Sequence, residues 1–172
     1  MNLAMSFSLE KNRSVLLVDA DIEKGGATRF LGLEGRKGLR DYLENPDLTI
    51  DDLIVETSES NIAVLPIGRG HSPVAELFSS DRMEEFVSRI TSSDKFQMVI
   101  FDCPPVLVSA AANTVAGYAD QTLVVVQANQ TSAHMIHEVE EALVDSKKIG
   151  FLLNRVSPSE KKHNIYYYAE ND

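Results

Sequence analysis

SVLLVDADIEKGG, residues 14–26, opens with an unbroken apolar run from Val15 to Val18 and closes on two aspartates flanking Ala20, then a glycine pair. A continuous leucine and valine run without polar alternation is what a strand covered on both faces requires, and such strands belong to parallel sheets. Polar residues that directly follow such a strand stand at the sheet's carboxyl edge, where open α/β sheets bind ligands. Alternate side chains of extended chain share a side, so Asp19 and Asp21 can face one site.

The same pattern recurs outward along the chain. Asn61 to Pro66 (NIAVLP), Gln97 to Asp102 (QMVIFD), Gln121 to Gln127 (QTLVVVQ) and Ile149 to Asn154 (IGFLLN) read as further buried strands. Between them, Asp81 to Ser92 and Thr131 to Ser146 carry apolar residues at helical spacing: Met83, Phe86, Val87 and Ile90, then Met135, Val139, Ala142 and Leu143. Ser80 or Asp81, and Thr131, suit their N-caps. The alternation predicts an α/β fold, a mostly parallel sheet flanked by helices. Asn2 to Glu10 reads as a helix running straight into a buried strand, as though the chain began inside a βα repeat, so a further upstream part is expected. From Ser157 the periodicity stops. The domain is expected over residues 1–156, with 157–172 (SPSEKKHNIYYYAEND) as a flexible tyrosine-bearing tail. No repeat or linker divides the chain.

Composition sets the class. A chain of 172 residues with 44% hydrophobic content can bury about two-thirds of its unfolded surface in one domain. Lys and Arg number 16 against 26 Asp and Glu, a net charge of -10, which leaves no broad basic face and argues against nucleic-acid binding. No apolar run approaches the roughly 20 residues of a membrane span. One cysteine, Cys103, excludes an internal disulfide and a thiolate zinc cage, pointing to a reducing compartment and so to the cytoplasm.

Three predicted strands end in groups able to do chemistry. VIFDCPP places Asp102 at a strand end, and Pro104 and Pro105 forbid both further ladder bonds and an immediate helix. Any one strand-end aspartate is by itself an ordinary loop residue; Asp19, Asp21 and Asp102 together on one edge suit magnesium, which takes one or two carboxylates plus water and phosphate oxygens. Asn154 and Arg155 close the last strand, where an amide offers donor and acceptor together to a purine edge, although a strand-end Asn is also a common turn residue. Gly25 and Gly26 lack the spacing of a phosphate loop and read as a turn, and GxxxxGK[ST] occurs nowhere in the 172 residues. Of the histidines at 71, 134, 137 and 163, the pair His134 and His137 reads as a solvated helix face. Tyr166, Tyr167 and Tyr168 are either idle packing residues or a phosphoacceptor cluster.

Taken in order, these residues resemble the cytoplasmic bacterial tyrosine kinases, deviant P-loop ATPases related to the cell-division and partition ATPases. LLVDADIEKGG resembles the second Walker-type motif and VIFDCPP the Walker B strand. VLPIGRGHSPVAELFSSDRM (residues 64–83) resembles the glycine, proline, glutamate-leucine and serine-arginine-methionine stretch between them. VDADIEK followed by FLGL, then FDCPPVLVSAAA and a terminal YYY, is most similar to exosortase-associated exopolysaccharide autokinases. The resemblance implies ATP and magnesium as ligands. It also implies Asp19 as acceptor of the tyrosine proton, Asp21 as its partner beside the metal, and Asp102 as the carboxylate holding a magnesium water. Asn154, with Arg155, would read adenine, and Tyr166 to Tyr168 would be autophosphorylated on a neighbouring copy. Further implied are a role in exopolysaccharide synthesis or export and recruitment to the inner membrane face by a membrane polysaccharide co-polymerase. The family's first Walker motif would fall just before Asn2, and its oligomerisation helix upstream of that. Position 23 is Glu where many members carry Arg, with Lys24 beside it, and Ser109-Ala110 stand where some place an aspartate. Two other functions compete: a partition or placement ATPase of the same fold, and a non-catalytic interaction module.

Overall fold

The computed structural model describes residues 1–11, 13–58, 61–70 and 72–157. In chain order its elements are α1 (Asn2–Ser8), β1 (Val15–Asp19), α2 (Gly26–Phe30), α3 (Leu39–Glu44), β2 (Val55–Glu56), β3 (Ile62–Leu65), α4 (Val74–Phe78), α5 (Asp81–Ser92), β4 (Met98–Asp102), α6 (Ala111–Tyr118), β5 (Thr122–Gln127), α7 (Ala133–Ala142) and β6 (Ile149–Asn154). β1 is central. It pairs in parallel with β3, Val15 opposite Ile62, and with β4, from Val15 opposite Met98 to Asp19 opposite Asp102. The short β2 runs antiparallel along the outer edge of β3, completing a four-stranded sheet ordered β2-β3-β1-β4. β5 and β6 form a separate parallel pair, so the predicted strands divide between two sheets.

Burial follows that division. Every residue of β1 and β3 is buried, as their unbroken apolar runs require. β4 is half-buried throughout, and β5 and β6 expose Val125 at 60% and Leu153 at 54%. Their sequences predict the same two-sided cover, but in neither case does a strand occupy the edge of β4 away from β1, nor the edge of β5 away from β6, among the described residues.

The predicted helices form with local corrections. α5 has the expected bounds; Ser80 Oγ accepts from the Met83 N–H at 3.3 Å, and Met83, Phe86 and Ile90 face the core. α7 is shorter than 131–146. Thr131 does not cap it, because its hydroxyl already accepts the Gln127 N–H at 3.0 Å to close the turn after β5; Ser132 caps instead. Beyond α7, Asp145 is tied back to α6 by the Asn113 side-chain amide at 2.9 Å. α2, α3, α4 and β2 are too short to imprint a period on the sequence.

The main core gathers β1, β3, α3 and α5. Phe86 is its hinge, 5.7 Å from the Tyr42 ring and 6.4 Å from Phe101. Arg82, from the SSDRM motif, is a structural clamp: its guanidinium sits 4.0 Å above Tyr42, meets Glu85 at 2.7 Å, and donates to the carbonyls of Tyr42, Pro46 and Leu48. Gly38 lies so close to the chain after β3 that a Cβ there would overlap the Pro66 carbonyl. That approach lets the N–H groups of Leu39 and Arg40 bond the carbonyls of Pro66 and Ile67 at 2.8 and 2.9 Å.

Candidate active site

The register of β1 and β4 sets Asp19 beside Asp102, and the Ala20 N–H donates to the Asp102 carbonyl at 2.9 Å, so the two chains leave the sheet together. Asp19 is fully buried and both its oxygens are engaged: Oδ1 accepts from the Asp21 N–H at 3.2 Å and Oδ2 from the Thr28 N–H at 2.7 Å. Thr28 in turn accepts the Ile67 N–H on Oγ1 at 2.9 Å, linking the end of β1 to the end of β3. Between Asp19 and Thr28 the chain turns as the glycine pair predicts. Gly25 sits in the left-handed region at φ 56° and donates to the Asp21 carbonyl at 2.7 Å. Asp21 is half-buried and accepts the Lys24 N–H at 3.2 Å.

Asp102 differs. It is half-buried, and no described residue donates a hydrogen bond to its carboxylate. Burial pushes its pKa above the usual aspartate value, the charge of Asp19 raises it further, the α-amino group of Met1 opposes this, and Asp21 adds to it. The next residue, Cys103, has its thiol pushed up to about 12 by burial and then by Asp102, Asp21 and Asp19. Three carboxylates thus converge on one edge with a free oxygen pair among them.

Asn154 and Arg155 end β6, in the other sheet. Both are exposed; Asn154 Oδ1 accepts the Arg155 N–H at 2.8 Å, and Arg155, at φ 56°, reaches Gln127 Oε1 at 3.3 Å. The structure brings Asp19, Asp21 and Asp102 together, while Asn154 and Arg155 stand at the end of the β5–β6 pair, which is not hydrogen-bonded to the sheet that carries Asp19 and Asp102. Tyr166, Tyr167 and Tyr168, with His71 and His163, lie outside the described residues. His134 and His137 stand on an exposed face of α7 among Glu138, Glu140 and Glu141. No group of three or more metal-binding His, Cys, Asp or Glu side chains occurs among the described residues. A cation held wholly by protein ligands does not fit, whereas magnesium, which keeps its waters and leans on one or two carboxylates, suits Asp102 with Asp21. Thr28 escaped the sequence reading; a threonine nine positions past Asp19 carries no local signal of the bond it makes.

The AAA domain family model, AAA_31, matches residues 1–149. The tyrosine-protein kinase YwqD of Bacillus subtilis (strain 168) is 32% identical over 174 residues, taking in 99% of this chain and 71% of that protein. The chain belongs to the bacterial tyrosine-kinase family. Among other members, the tyrosine-protein kinase wzc of Salmonella typhimurium is 29% identical across 98% of this chain, which spans only 23% of its length. The VpsO kinase domain superposes with a TM-score of 0.81 at 27% identity, over 91% of this chain and 76% of that one. The cell-division ATPase MinD of Pyrococcus furiosus shares the fold, with a TM-score of 0.67 at 24% identity over 95% of this chain and 71% of its own. These kinases and that ATPase thus share the α/β fold of this chain, whose Asp19 and Asp102 end neighbouring strands at the carboxyl edge of the sheet. No helix among the described residues is long and apolar enough to cross a membrane.

Proposed function

We propose that the chain is the catalytic unit of a tyrosine autokinase that transfers the γ-phosphoryl group of ATP to Tyr166, Tyr167 and Tyr168 of a neighbouring copy. The observation that carries this is the Asp19 and Asp102 register, which gathers Asp19, Asp21 and Asp102 at one edge with Asp102 unengaged. Bound magnesium would neutralise phosphate charge, and phosphoryl transfer depends chiefly on such positioning and charge compensation. Asp102 and Asp21 would hold it. The tyrosine Oη–P bond forms as the bond from γ-phosphorus to the bridging oxygen breaks, ADP leaves, and the phenolic proton passes to a carboxylate. The family resemblance implies Asp19 as that carboxylate, but Asp19 is fully buried with both oxygens engaged, so we assign the proton to the half-buried Asp21, with Asp19 positioning it through the Asp21 N–H. Asn154 and Arg155 would contact adenine. Because GxxxxGK[ST] is not among the 172 residues, tight ATP binding needs a phosphate loop supplied from outside them, and this chain by itself should bind ATP weakly. The exopolysaccharide role, the exosortase-associated subtype, the cytoplasmic location and a membrane polysaccharide co-polymerase as partner extend the same reading.

The test is radioactive ATP labelling of the protein supplied with that loop, against a variant with Tyr166, Tyr167 and Tyr168 all changed to Phe. Loss of label from the variant supports the autokinase. Equal labelling overturns the tail as acceptor, and ATP hydrolysis without any label favours the partition-type ATPase.

A further inference from the structure

The net charge of -10 conceals a local excess of the opposite sign. Residues 24–40 contain Lys24, Arg29, Arg36, Lys37 and Arg40 against a single acid, Glu34. Folding collects them beside the end of β3, where Lys24, Arg29, Arg36 and Arg40 line a cavity of about 210 Å³ closed by Thr28, Ile67 and Gly68. Arg36 also borders a neighbouring hollow that Lys37 and Arg69 line. Among the described residues none of these cations lies within 4.0 Å of a carboxylate, although 26 acids are available in the chain. Their donors go to carbonyls or to nothing. Arg29 Nη2 bonds the Lys24 carbonyl at 2.9 Å and Arg40 Nη2 the Ser72 carbonyl at 2.8 Å, while Arg40 Nε is buried with no acceptor. Glu23 and Glu34 share the lining but do not pair with them.

Four cations against two acids leave the lining net positive, and a cleft with an excess of one sign concentrates ions of the other. Guanidinium forks match carboxylate oxygens, and a space below the ~300 Å³ of a small-molecule pocket suits side-chain groups rather than a whole nucleotide. Position supplies the rest. Thr28 is both a wall of this cavity and the donor to Asp19 Oδ2, so cleft and carboxylates are contiguous. In the sheet order β3-β1-β4, the cleft lies on the β3 side of Asp19. Asp102 lies on the other side, and β5–β6 with Asn154 joins the fold through α6, which follows β4. Attacking and leaving oxygens sit roughly in line across the transferred phosphoryl group, so an acceptor enters opposite the nucleotide, which is the cleft side.

We infer that this cationic cleft is the acceptor-docking subsite and that it selects tyrosines followed by acidic side chains, the pattern of Glu170 and Asp172 after Tyr166 to Tyr168 in a second copy. The inference rests on the autokinase reading but is tested without ATP. Fluorescence anisotropy would follow a labelled peptide of residues 164–172, NIYYYAEND, binding to the 172-residue chain at low salt. Replacing Glu170 and Asp172 of the peptide by Gln and Asn should weaken binding about tenfold or more, the loss expected for charge-assisted hydrogen bonds. Lys24→Gln with Arg36→Gln, both exposed, should do the same to the native peptide at unchanged Tm and reduce the salt dependence. Equal affinity for both peptides, or indifference to the double variant, overturns the inference and leaves the kinase reading intact. A phosphotyrosyl version that binds more tightly, with the double variant removing only that gain, would overturn it too, by assigning the cleft to product phosphate. Failure of radioactive labelling would leave an observed peptide preference standing.

Discussion

Asp19 and Asp102 face each other in register at the ends of neighbouring parallel strands, yet only Asp102 keeps its carboxylate free. Asp19 gives both oxygens to backbone N–H groups that build the turn into α2. One aspartate therefore makes the site and the other is offered by it, and the two should respond differently to substitution.

Asp102→Asn should stabilise the fold at neutral pH. The pKa of Asp102 is raised chiefly by burial, above the unfolded value of about 3.9. Between that value and the folded pKa the native state binds more protons, so stability falls as pH rises through this window. The variant carries no such charge. Its Tm by scanning fluorimetry should exceed the parent's at pH 7, with the difference vanishing below about pH 4. Labelling activity of the loop-supplied protein should fall about a hundredfold or more, as when one electrostatic stabiliser is lost.

Asp19→Ala should do the reverse. It strands the N–H groups of Asp21 and Thr28 in a buried turn, a loss of roughly 3 kcal/mol at 1–3 kcal/mol per unsatisfied donor. Asp19→Asn retains an acceptor and should cost about half as much. Urea denaturation midpoints of the 172-residue chain would show the order; an unchanged midpoint for Asp19→Ala would remove its positioning role.

Cys103 should be unreactive in the native protein. With its thiol pushed up to about 12, almost no thiolate exists at pH 8, and the thiolate is the nucleophile. Iodoacetamide labelling followed by mass spectrometry should be slow in buffer and become fast in urea, where burial and the three neighbouring carboxylates are gone.

Arg82 should resist conservative replacement. Lys can keep the charge near Glu85 but cannot span Tyr42, Pro46 and Leu48 with one planar group. Arg82→Lys and Arg82→Ala should each cost about 1–3 kcal/mol, measured by denaturation. Full retention of stability in the Lys variant would remove the clamp role of Arg82.

Much of this was legible in the sequence because it is local. The apolar run Val15 to Val18 and the aspartates after it occur within one strand and turn, and Asp102 follows an equally plain strand, so both ends were found. What the sequence hid depends on distant pairing. Thr28 joins the site through bonds to Asp19 and Ile67, Thr131 loses its capping role to Gln127, and the arginines at 36 and 40 meet Lys24 only after α3 docks on the chain beyond β3. Net charge averaged that last cluster away. The division into two sheets was invisible for the same reason, since QTLVVVQ reads alike whether or not its neighbour is β4.

That division sets a timetable for opening. β5 and β6 have a small core of their own, Ala116, Val139 and Leu143, and lean on the main one through α6, whose Ala111 and Val115 are sunk in it. Their amides should exchange with deuterium well before those of β1 and β3, in a sub-global opening that spares the larger sheet. On the proposed reading, a nucleotide reaching from the aspartates to Asn154 would then be gripped by parts of unequal stiffness, the phosphates beside a rigid floor and the base beside a yielding one.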